Sequence, residues 1–348
     1  MAILENYELQ AYNSFAISVR ARYFTAVHNV EELRQALAAA AQLDVPVLVM
    51  GGGSNLLFVQ DFPGLVIHIA MRGIQISAAE ECSVIVTASA GENWHHFVSY
   101  CLQHGYYGLE NLALIPGSAG AAPVQNIGAY GVELKDFFVE LTALMIESGE
   151  IVSMNLQQCR FGYRDSIFKQ ELKNRAVILS VSCRLATEPS TSTAYGSLQI
   201  ALAHHTQPIT PADVFAAVCA IRRSKLPDPA VLGNAGSFFK NPVISVEHYR
   251  VLLERYPDMP SYALNAENSS EHSLGNREFI KIPAAWLIEK SGWKGKRLGA
   301  VGVHAEQALV LVNHGGGSGQ QVLDLAMSIS ESIATTFGIQ LQAEVRVL

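Results

Sequence analysis

A seventeen-residue segment of small, uncharged residues constrains the fold of this chain more than any other feature. Residues 115–131 (IPGSAGAAPVQNIGAYG) contain four glycines, four alanines and no charged side chain. A segment this small and neutral is typical neither of a solvated loop nor of a packed helix. The glycines that allow a positive φ, or the close approach of another group to the main chain, are Gly117, Gly120, Gly128 and Gly131.

A second glycine-rich segment, Gly51-Gly52-Gly53-Ser54-Asn55, follows an apolar run at residues 45–50 that predicts a buried strand. Main-chain N–H groups in such segments can point at the oxygens of a phosphate. Two segments of this kind in one chain therefore indicate a large, phosphate-bearing cofactor. The alternative interpretation is that both segments are tight turns between strands.

The length and charge of the chain limit its class. Its 348 residues exceed one ordinary core, which predicts two or three domains. Its net charge of −7 disfavours a nucleic-acid or anionic-membrane partner, because such partners attract a basic surface. No apolar run approaches the roughly 18 to 20 residues that span a bilayer, and residues 1–10 lack the basic start of a signal peptide. We therefore expect a cytoplasmic protein.

The cysteines support the same compartment. They are scattered, odd in number and form no C-x-x-C pair, so we expect small buried side chains in a reducing environment. They are Cys82, Cys101, Cys159, Cys183 and Cys219.

Periodic apolar residues and capping signals predict four helices, at residues 29–41, 92–103, 210–223 and 318–337. Apolar runs predict strands at residues 45–50, 66–69, 84–87 and 177–183. Alternating apolar and polar residues predict a final strand over residues 339–347. A shift to Ser, Thr and Pro at residues 187–192 indicates a domain boundary, and the polar residues 258–280 indicate a mobile loop.

Several common sites are excluded by the sequence. There is no G-x-x-x-x-G-K-[ST] sequence, and the G-x-S-x-G elbow is absent. The segment from Gly51 is not a dinucleotide fingerprint, because Leu56-Leu57-Phe58-Val59 continues as a strand instead of a helix. There is no H-E-x-x-H, and the side chains of adjacent pairs such as His95-His96 diverge, so no catalytic metal is expected.

Four polar residues lie in segments whose local pattern does not account for a polar side chain at that position. Arg164 could be a planar donor to an oxyanion or carboxylate, or could form a surface pair with Asp165. Ser237, between a glycine and two aromatics, could transfer a proton or cap a turn. Glu344 lies on the polar face of the predicted final strand, which could equally be a solvated edge. Lys225, in a segment stiffened by two prolines, suits a phosphate ligand or caps the preceding helix.

These segments, in this order, resemble the UDP-N-acetylenolpyruvoylglucosamine reductase family, in its longer form with a tyrosine-bearing loop. The resemblance covers about residues 10–348. The segments that carry it are GGGSN from Gly51, ENLALIPGSAGAAPVQNIGAYGVEL from Glu110, CRFGYRDSIFK from Cys159, KLPDP from Lys225, GNAGSFFKNP from Gly233, and Glu344-Val345-Arg346.

The resemblance implies an α+β protein with an FAD-binding fold of the vanillyl-alcohol-oxidase type and an α+β substrate-binding domain. The implied divisions are two FAD-binding subdomains, a substrate-binding domain and a C-terminal strand that returns to the active site, at residues 1–70, 71–210, 211–335 and 336–348.

The resemblance also assigns roles to residues. The catalytic residues are Arg164, Ser237 as proton donor, and Glu344. The residues assigned to the cofactor are Gly51, Gly52, Gly53, Ser54, Asn55, Gly117, Ser118, Gly120, Asn126, Gly128, Tyr130 and Gly131. The residues assigned to the nucleotide sugar are Tyr195, Lys225, Asn241, Gln307 and, on the tyrosine loop, Tyr262.

The implied reaction is the reduction of UDP-N-acetylenolpyruvoylglucosamine to UDP-N-acetylmuramate in peptidoglycan precursor synthesis. It uses non-covalent FAD and takes its hydride from NADPH, in a monomer that binds neither metal nor nucleic acid. Two other classes compete with this interpretation: a flavin oxidase of small alcohols on the same fold, and a non-enzymatic protein that binds nucleotide sugars.

Overall fold

A computed structural model of the protein forms two compact units, each assembled from three separate stretches of chain. The residues that the structure describes are 1–79, 82–205, 208–262 and 278–348. The first unit comprises Met1–Glu8, Arg20–Gly53 and Phe62–Ser224. The second unit comprises Leu9–Val19, Ser54–Asp61 and Lys225–Leu348.

Strands and helices occur in both units, which agrees with the predicted α+β class. The strands are β1 (Leu4–Glu8), β2 (Arg20–Val27), β3 (Val47–Met50), β4 (Leu56–Leu57), β5 (Phe62–Ile69), β6 (Ile74–Ala78), β7 (Ser83–Ser89), β8 (Gly128–Ala129), β9 (Val132–Glu133), β10 (Phe138–Met145), β11 (Ile151–Asn155), β12 (Ala176–Ala186), β13 (Gly233–Ser237), β14 (Val243–Ser245), β15 (Phe279–Lys281), β16 (Arg297–Leu298), β17 (Val301–Val303), β18 (Val310–Asn313) and β19 (Arg346–Val347). The α-helices are α1 (Val30–Gln42), α2 (Trp94–Gln103), α3 (Leu156–Cys159), α4 (Gly196–Leu202), α5 (Pro211–Lys225), α6 (Val246–Arg255), α7 (Ala284–Lys290) and α8 (Gly319–Phe337). Short 3-10 helices cover Gln10–Tyr12, Glu110–Leu112, Ala119–Ala121, Pro123–Gln125, Leu134–Asp136 and Ile167–Lys169.

The first unit contains a small, mostly parallel sheet in the order β1-β2-β5-β3, in which only β1 is antiparallel. Helix α1 packs its buried side chains, including Leu33 and Ala36, against Leu65 and Ile67 of β5. The Asn29 side chain accepts a hydrogen bond from the Glu32 N–H, which caps α1 where the sequence predicts.

The larger sheet of the first unit is antiparallel, in the order β11-β10-β12-β7-β6. Helix α2 belongs to the core of this sheet and buries Trp94, Phe97, Val98 and Cys101. The glycine-rich segment 115–131 follows as two 3-10 turns and the first half of the β8–β9 hairpin. The core that supports β7 and α2 therefore also supports this segment.

The second unit is built on an antiparallel sheet in the order β13-β18-β17-β16, with α8 as its longest helix. Ser318 and Gln321 form the predicted capping box of α8, and Gly338 ends the helix with a φ of +67°. Strand β19 pairs in parallel with β4, and β14 pairs with β15. The four predicted helices are thus confirmed as α1, α2, α5 and α8.

Three predictions were wrong in part. The final strand is regular only over Arg346–Val347, because the preceding residues contact their neighbours through an isolated Phe239–Ala343 bridge instead of a continuous ladder. Cys82 is exposed, whereas the other four cysteines are buried. The predicted loop 258–280 includes β15, and its residues 263–277 lie outside the described part of the chain.

The four-part domain division stays a prediction. The compact units differ from it, because residues 9–19 and 54–61 belong to the second unit and residues 211–224 belong to the first.

Candidate active site

The two glycine-rich segments lie side by side in the first unit. A Cβ atom on Gly52 would lie 3.2 Å from the Cα of Gly117, and one on Gly51 would collide with the side chain of Ser118. Gly53 and Gly117 also have positive φ values, of +61° and +116°. Because side chains are excluded here, bare main chain of both segments comes together, as a phosphate-bearing cofactor requires.

The segment from Gly117 is fixed to the end of β7 and the start of α2. The N–H of Gly120 donates to the Ala90 carbonyl over 2.9 Å, and a Cβ on Gly120 would lie 2.9 Å from the Ala90 Cα. The Trp94 N–H donates to the Gly117 carbonyl over 3.0 Å. Glycine is therefore required at position 120 because the segment lies close to the Ala90 backbone, and at position 117 because its φ is positive.

Arg164 is directed at the glycine-rich segment. Its Nη2 donates to the Gly128 carbonyl over 2.8 Å, and its guanidinium carbon lies 5.5 Å from the centroid of the Tyr163 ring. The Asp165 carboxylate accepts hydrogen bonds from the Ser166 N–H and the Gln170 amide. The structure thus brings a predicted catalytic residue together with the predicted cofactor segment.

Asn126 lies behind this contact and is fully buried, at 0% exposure. Its Nδ2 donates to Glu133 Oε2 over 2.9 Å and to the Gly162 carbonyl over 3.1 Å. Its Oδ1 accepts from the Lys135 N–H over 3.1 Å. Burial raises the pKa of the Glu133 carboxyl, while Lys135 and the Asn126 bond act in the opposite direction.

An aromatic pair and a buried arginine lie next to this loop. The rings of Tyr130 and Tyr195 meet edge to face with centroids 5.6 Å apart, and Tyr195 is 43% exposed. Arg222 interacts with the Tyr130 hydroxyl and donates from Nε to the Leu114 carbonyl over 3.2 Å. Burial lowers the pKa of Arg222 and raises that of Tyr130.

The sequence indicates Arg222 only as a cation at the end of a helix and does not predict its place beside Tyr130. The signal that could have found it is its place one turn before the KLPDP segment, on the α5 face that also carries the buried Val218 and Cys219.

Ser237 lies at the end of β13 in the second unit and is half-buried. The ladder with β18 is irregular between Asn234 and Ser237, and Gly236 has a φ of +69°. The buried Asn234 accepts from the Gly236 N–H and donates to the carbonyls of Pro227 and Leu232. This bulge sets the direction of the Ser237 side chain, and the sequence argument did not identify Asn234.

Glu344 is adjacent to the same strand. Its N–H donates to the Phe238 carbonyl over 2.8 Å, and its own carbonyl accepts from Asn55 Nδ2 over 3.2 Å. Glu344 is half-buried. The second unit therefore brings Asn55, Glu344 and the residue after Ser237 into one neighbourhood.

The remaining predicted substrate residues are distributed over the second unit. Gln307 lies in the turn before β18, whose Leu309 carbonyl accepts from the Phe238 N–H. Asn241 accepts a hydrogen bond from the Ala284 N–H over 2.9 Å at the start of α7. Lys225 is exposed at the end of α5, and Tyr262, 47% exposed, pairs its backbone with Lys281.

Across the described ranges, no group of three or more His, Cys, Asp or Glu side chains is arranged to hold a metal ion. No helix within those ranges combines the length and apolarity needed to cross a membrane.

Comparison with known proteins extends these observations. Residues 21–155 match the family of FAD binding domains, and residues 228–348 match the C-terminal domain of UDP-N-acetylenolpyruvoylglucosamine reductase. The reductase of this name from Chromobacterium violaceum is 47% identical over 343 residues, covering 98% of this chain and 97% of the relative. That from Pseudomonas aeruginosa is 48% identical over 346 residues, covering 99% and 98%.

A solved structure agrees at the level of the fold. The crystal structure of UDP-N-acetylenolpyruvylglucosamine reductase from Thermus caldophilus has a TM-score of 0.68 at 21% identity, covering 99% of this chain and 98% of that chain. The predicted α+β class and FAD-binding fold are confirmed by these matches. Because the identity to the bacterial relatives extends over nearly the whole of each chain, this protein belongs to the UDP-N-acetylenolpyruvoylglucosamine reductase family.

Proposed function

We propose that this protein is an NADPH-dependent flavoenzyme that reduces UDP-N-acetylenolpyruvoylglucosamine to UDP-N-acetylmuramate, in the synthesis of peptidoglycan precursors. The observation that carries the proposal is the Arg164 guanidinium, held 2.8 Å from the Gly128 carbonyl in the segment that fits a cofactor. A permanent cation at this position suits a reaction in which negative charge develops on the substrate.

The residues that would hold FAD are those of the two glycine-rich segments, which pack against each other where Gly51 and Gly52 meet Ser118 and Gly117. A bound flavin supplies the hydride that reduces C3 of the enolpyruvyl group. Negative charge then builds on C2 of the substrate and spreads into its carboxylate. Arg164 stabilises this charge with a fixed donor, an interaction of a kind worth about 2.7 to 4 kcal/mol in comparable sites.

The reaction also needs a proton at C2, and we assign this role to the Ser237 hydroxyl. Lys240, three residues further along the chain, or a water chain assists the hydroxyl, because serine alone is a weak acid. We also assign Glu344 a catalytic role in this step.

We assign recognition of the nucleotide sugar to residues that present polar or aromatic groups without reacting. Lys225 supplies a cation for the diphosphate. The other residues in this group are Tyr195, Asn241, Gln307 and Tyr262. We further propose that the protein is cytoplasmic and that it acts as a monomer. Light scattering of the purified protein would test the monomeric state.

Turnover of NADPH tests the proposed function. Purified protein should carry flavin that acid precipitation releases, and it should consume NADPH rapidly only when the enolpyruvyl substrate is added. A flavin oxidase of small alcohols would consume oxygen with an alcohol and ignore the enolpyruvyl sugar. A non-enzymatic binding protein would purify without flavin, and either result would overturn the proposal.

A further inference from the structure

Arg164 lies at the tip of a tight turn that the glycine-rich segment holds at both ends. Gly162 and Asp165 exchange two backbone hydrogen bonds, of 3.1 and 3.3 Å, which close a turn with Tyr163 and Arg164 at its centre. Arg164 has a φ of +56°, a left-handed angle that ordinary residues adopt at a cost. The direction of its side chain therefore depends on what fixes the two ends of the turn.

Both ends of the turn are fixed by fully buried polar side chains. At the first end, Asn126 Nδ2 donates to the Gly162 carbonyl over 3.1 Å. At the second end, the Ser166 hydroxyl donates to the Val124 carbonyl over 2.7 Å. Asn126 and Ser166 are both 0% exposed. Arg164 itself closes the arrangement by its bond to the Gly128 carbonyl.

The Asn126 side chain is held in one orientation from both sides. Its two amide hydrogens are committed to Gly162 and to Glu133, and its oxygen accepts from the Lys135 N–H. Asn126 also has a φ of +44°, and asparagine tolerates this region better than most residues. A bond from either amide hydrogen to a cofactor would have to break one of these contacts, and the amide oxygen is buried with the rest of the residue.

We propose that Asn126 is a positioning residue, which sets the Arg164 guanidinium by fixing the Gly162 end of the turn and is not a cofactor ligand through its side chain. This inference rests on the proposed function, in which Arg164 stabilises charge on the enolpyruvyl group. A displacement of about 1 Å at a catalytic group can cost about 10²-fold in rate, so a residue that never touches substrate can control the step.

The test compares Asn126→Gly with Thr25→Val. Glycine accepts the left-handed backbone of residue 126, so Asn126→Gly removes only the three side-chain bonds. Thr25 is 1% exposed in β2 of the same unit, and its hydroxyl donates to the Ala2 carbonyl in a partly buried hydrogen bond, so Thr25→Val removes a hydrogen bond elsewhere. Thr25→Val should lose about 1 kcal/mol of stability and Asn126→Gly should lose more, because three hydrogen bonds are removed instead of one.

Stopped-flow traces should separate the two variants. Asn126→Gly should reduce flavin with NADPH at the normal rate, but should slow oxidation of the reduced flavin by the enolpyruvyl sugar by about 10- to 100-fold. In an Arg164→Lys background the same substitution should slow that oxidation by less than about twofold, because the group it positions is already altered. Thr25→Val should leave both half-reactions unchanged.

Hydrogen exchange supplies a readout that needs no turnover. Amides of residues 160–169 should exchange faster in flavin-free Asn126→Gly protein than in the flavin-free parent, and should be unchanged in Thr25→Val. Equal slowing of both half-reactions, a full multiplicative loss in the Arg164→Lys background, or unaltered exchange in residues 160–169 would overturn the inference. Failure of the proposed function is distinct, because the unaltered protein would then not oxidise its reduced flavin with the enolpyruvyl sugar at all.

Discussion

Arg164 and Ser237 are both presented by irregular backbone. Arg164 has a φ of +56° in its own turn, and Ser237 follows Gly236, with a φ of +69°, at the bulge of β13. A regular strand would alternate side chains between two faces, whereas a bulge or turn can aim one side chain independently of its neighbours. Buried amides stabilise both bends, Asn126 in the first unit and Asn234 in the second.

Replacing Ser237 by alanine should affect one half-reaction only. In the proposed mechanism the hydroxyl protonates C2, so reduction of flavin by NADPH should be normal and the reduction of the enolpyruvyl sugar should slow at least about 10²-fold. Ser245→Ala is a suitable control, because the Ser245 hydroxyl accepts from the His248 N–H at the start of α6. Stopped-flow traces with both half-reactions equally slow in Ser237→Ala would assign Ser237 a structural role.

Replacing Lys225 by alanine should weaken substrate binding more than it slows chemistry. A contact with the diphosphate is equal in ground and transition states, so KM should rise and kcat should change little. A charge-assisted hydrogen bond is worth about 1.5 to 3 kcal/mol, which corresponds to a rise in KM of about 10- to 150-fold.

Arg223→Ala provides the matched control for Lys225, because Arg223 is an exposed cation in the same last turn of α5. It should leave KM unchanged. If Lys225→Ala instead lowered the melting temperature with a normal KM, Lys225 would be a helix cap and not a ligand.

At the scale of elements, the glycine-rich segments show two separate requirements for glycine. Gly117 and Gly131 have positive φ values, of +116° and +87°, so a side chain would strain their backbone. Gly51 and Gly120 have ordinary angles, but a side chain there would collide with Ser118 or Ala90. The packing of the two segments therefore depends on the absence of a Cβ atom as much as on the backbone freedom of glycine.

Gly120→Ala should reduce both flavin occupancy and stability. A Cβ at this position would lie 2.9 Å from the Ala90 Cα, and because that neighbour is backbone at the end of the larger sheet, the glycine-rich segment must shift. Gly196→Ala is the matched control at the start of α4, since nothing lies within 4 Å of its added Cβ. Its stability should stay equal or rise by about 0.4 to 1 kcal/mol. Flavin occupancy is measured as the ratio of flavin to protein absorbance, and stability by a thermal melt. Equal occupancy and equal stability in Gly120→Ala and Gly196→Ala would contradict the prediction.

The sequence predicted elements whose signals are local and missed contacts between distant residues. Asn29 and Ser318 cap α1 and α8 as expected, because each cap bonds an N–H three residues away. The final strand was overestimated because alternation does not reveal whether a partner lies in register, and here a regular ladder covers only residues 346–347. The bond from Asn126 to Gly162 spans 36 residues, so no spacing rule could have revealed it.

At the scale of the whole molecule, buried thiols make stability dependent on pH. Burial raises the pKa of Cys159 and Cys183 to about 12, and both belong to the core of the larger sheet. Below the ordinary thiol pKa, both folded and unfolded states hold these protons, and no dependence results. Above it the unfolded thiols ionise while the folded ones stay protonated, so the stability is lost as the pH rises from about 9 towards 12.

Each buried thiol should contribute about 1.4 kcal/mol per pH unit to this fall in the free energy of unfolding. Cys183→Ala should be less stable than the parent at pH 8 but should show a slope smaller by about that amount between about pH 9 and 11. Urea titrations under reducing conditions measure both quantities. An unchanged slope in Cys183→Ala would mean that other groups cause the alkaline loss.

The three-part assembly of the second unit also determines how its gene can be divided. Asn234 N–H donates to the Ser14 carbonyl over 2.8 Å, and Asn313 Nδ2 donates to the Phe15 carbonyl over 2.9 Å. A fragment that encodes only residues 225–348 would lack Ser14 and Phe15, leaving these donors without their partners. The second unit therefore cannot be transferred to another protein as one continuous segment. Recombination should preserve it only where all three of its segments are retained.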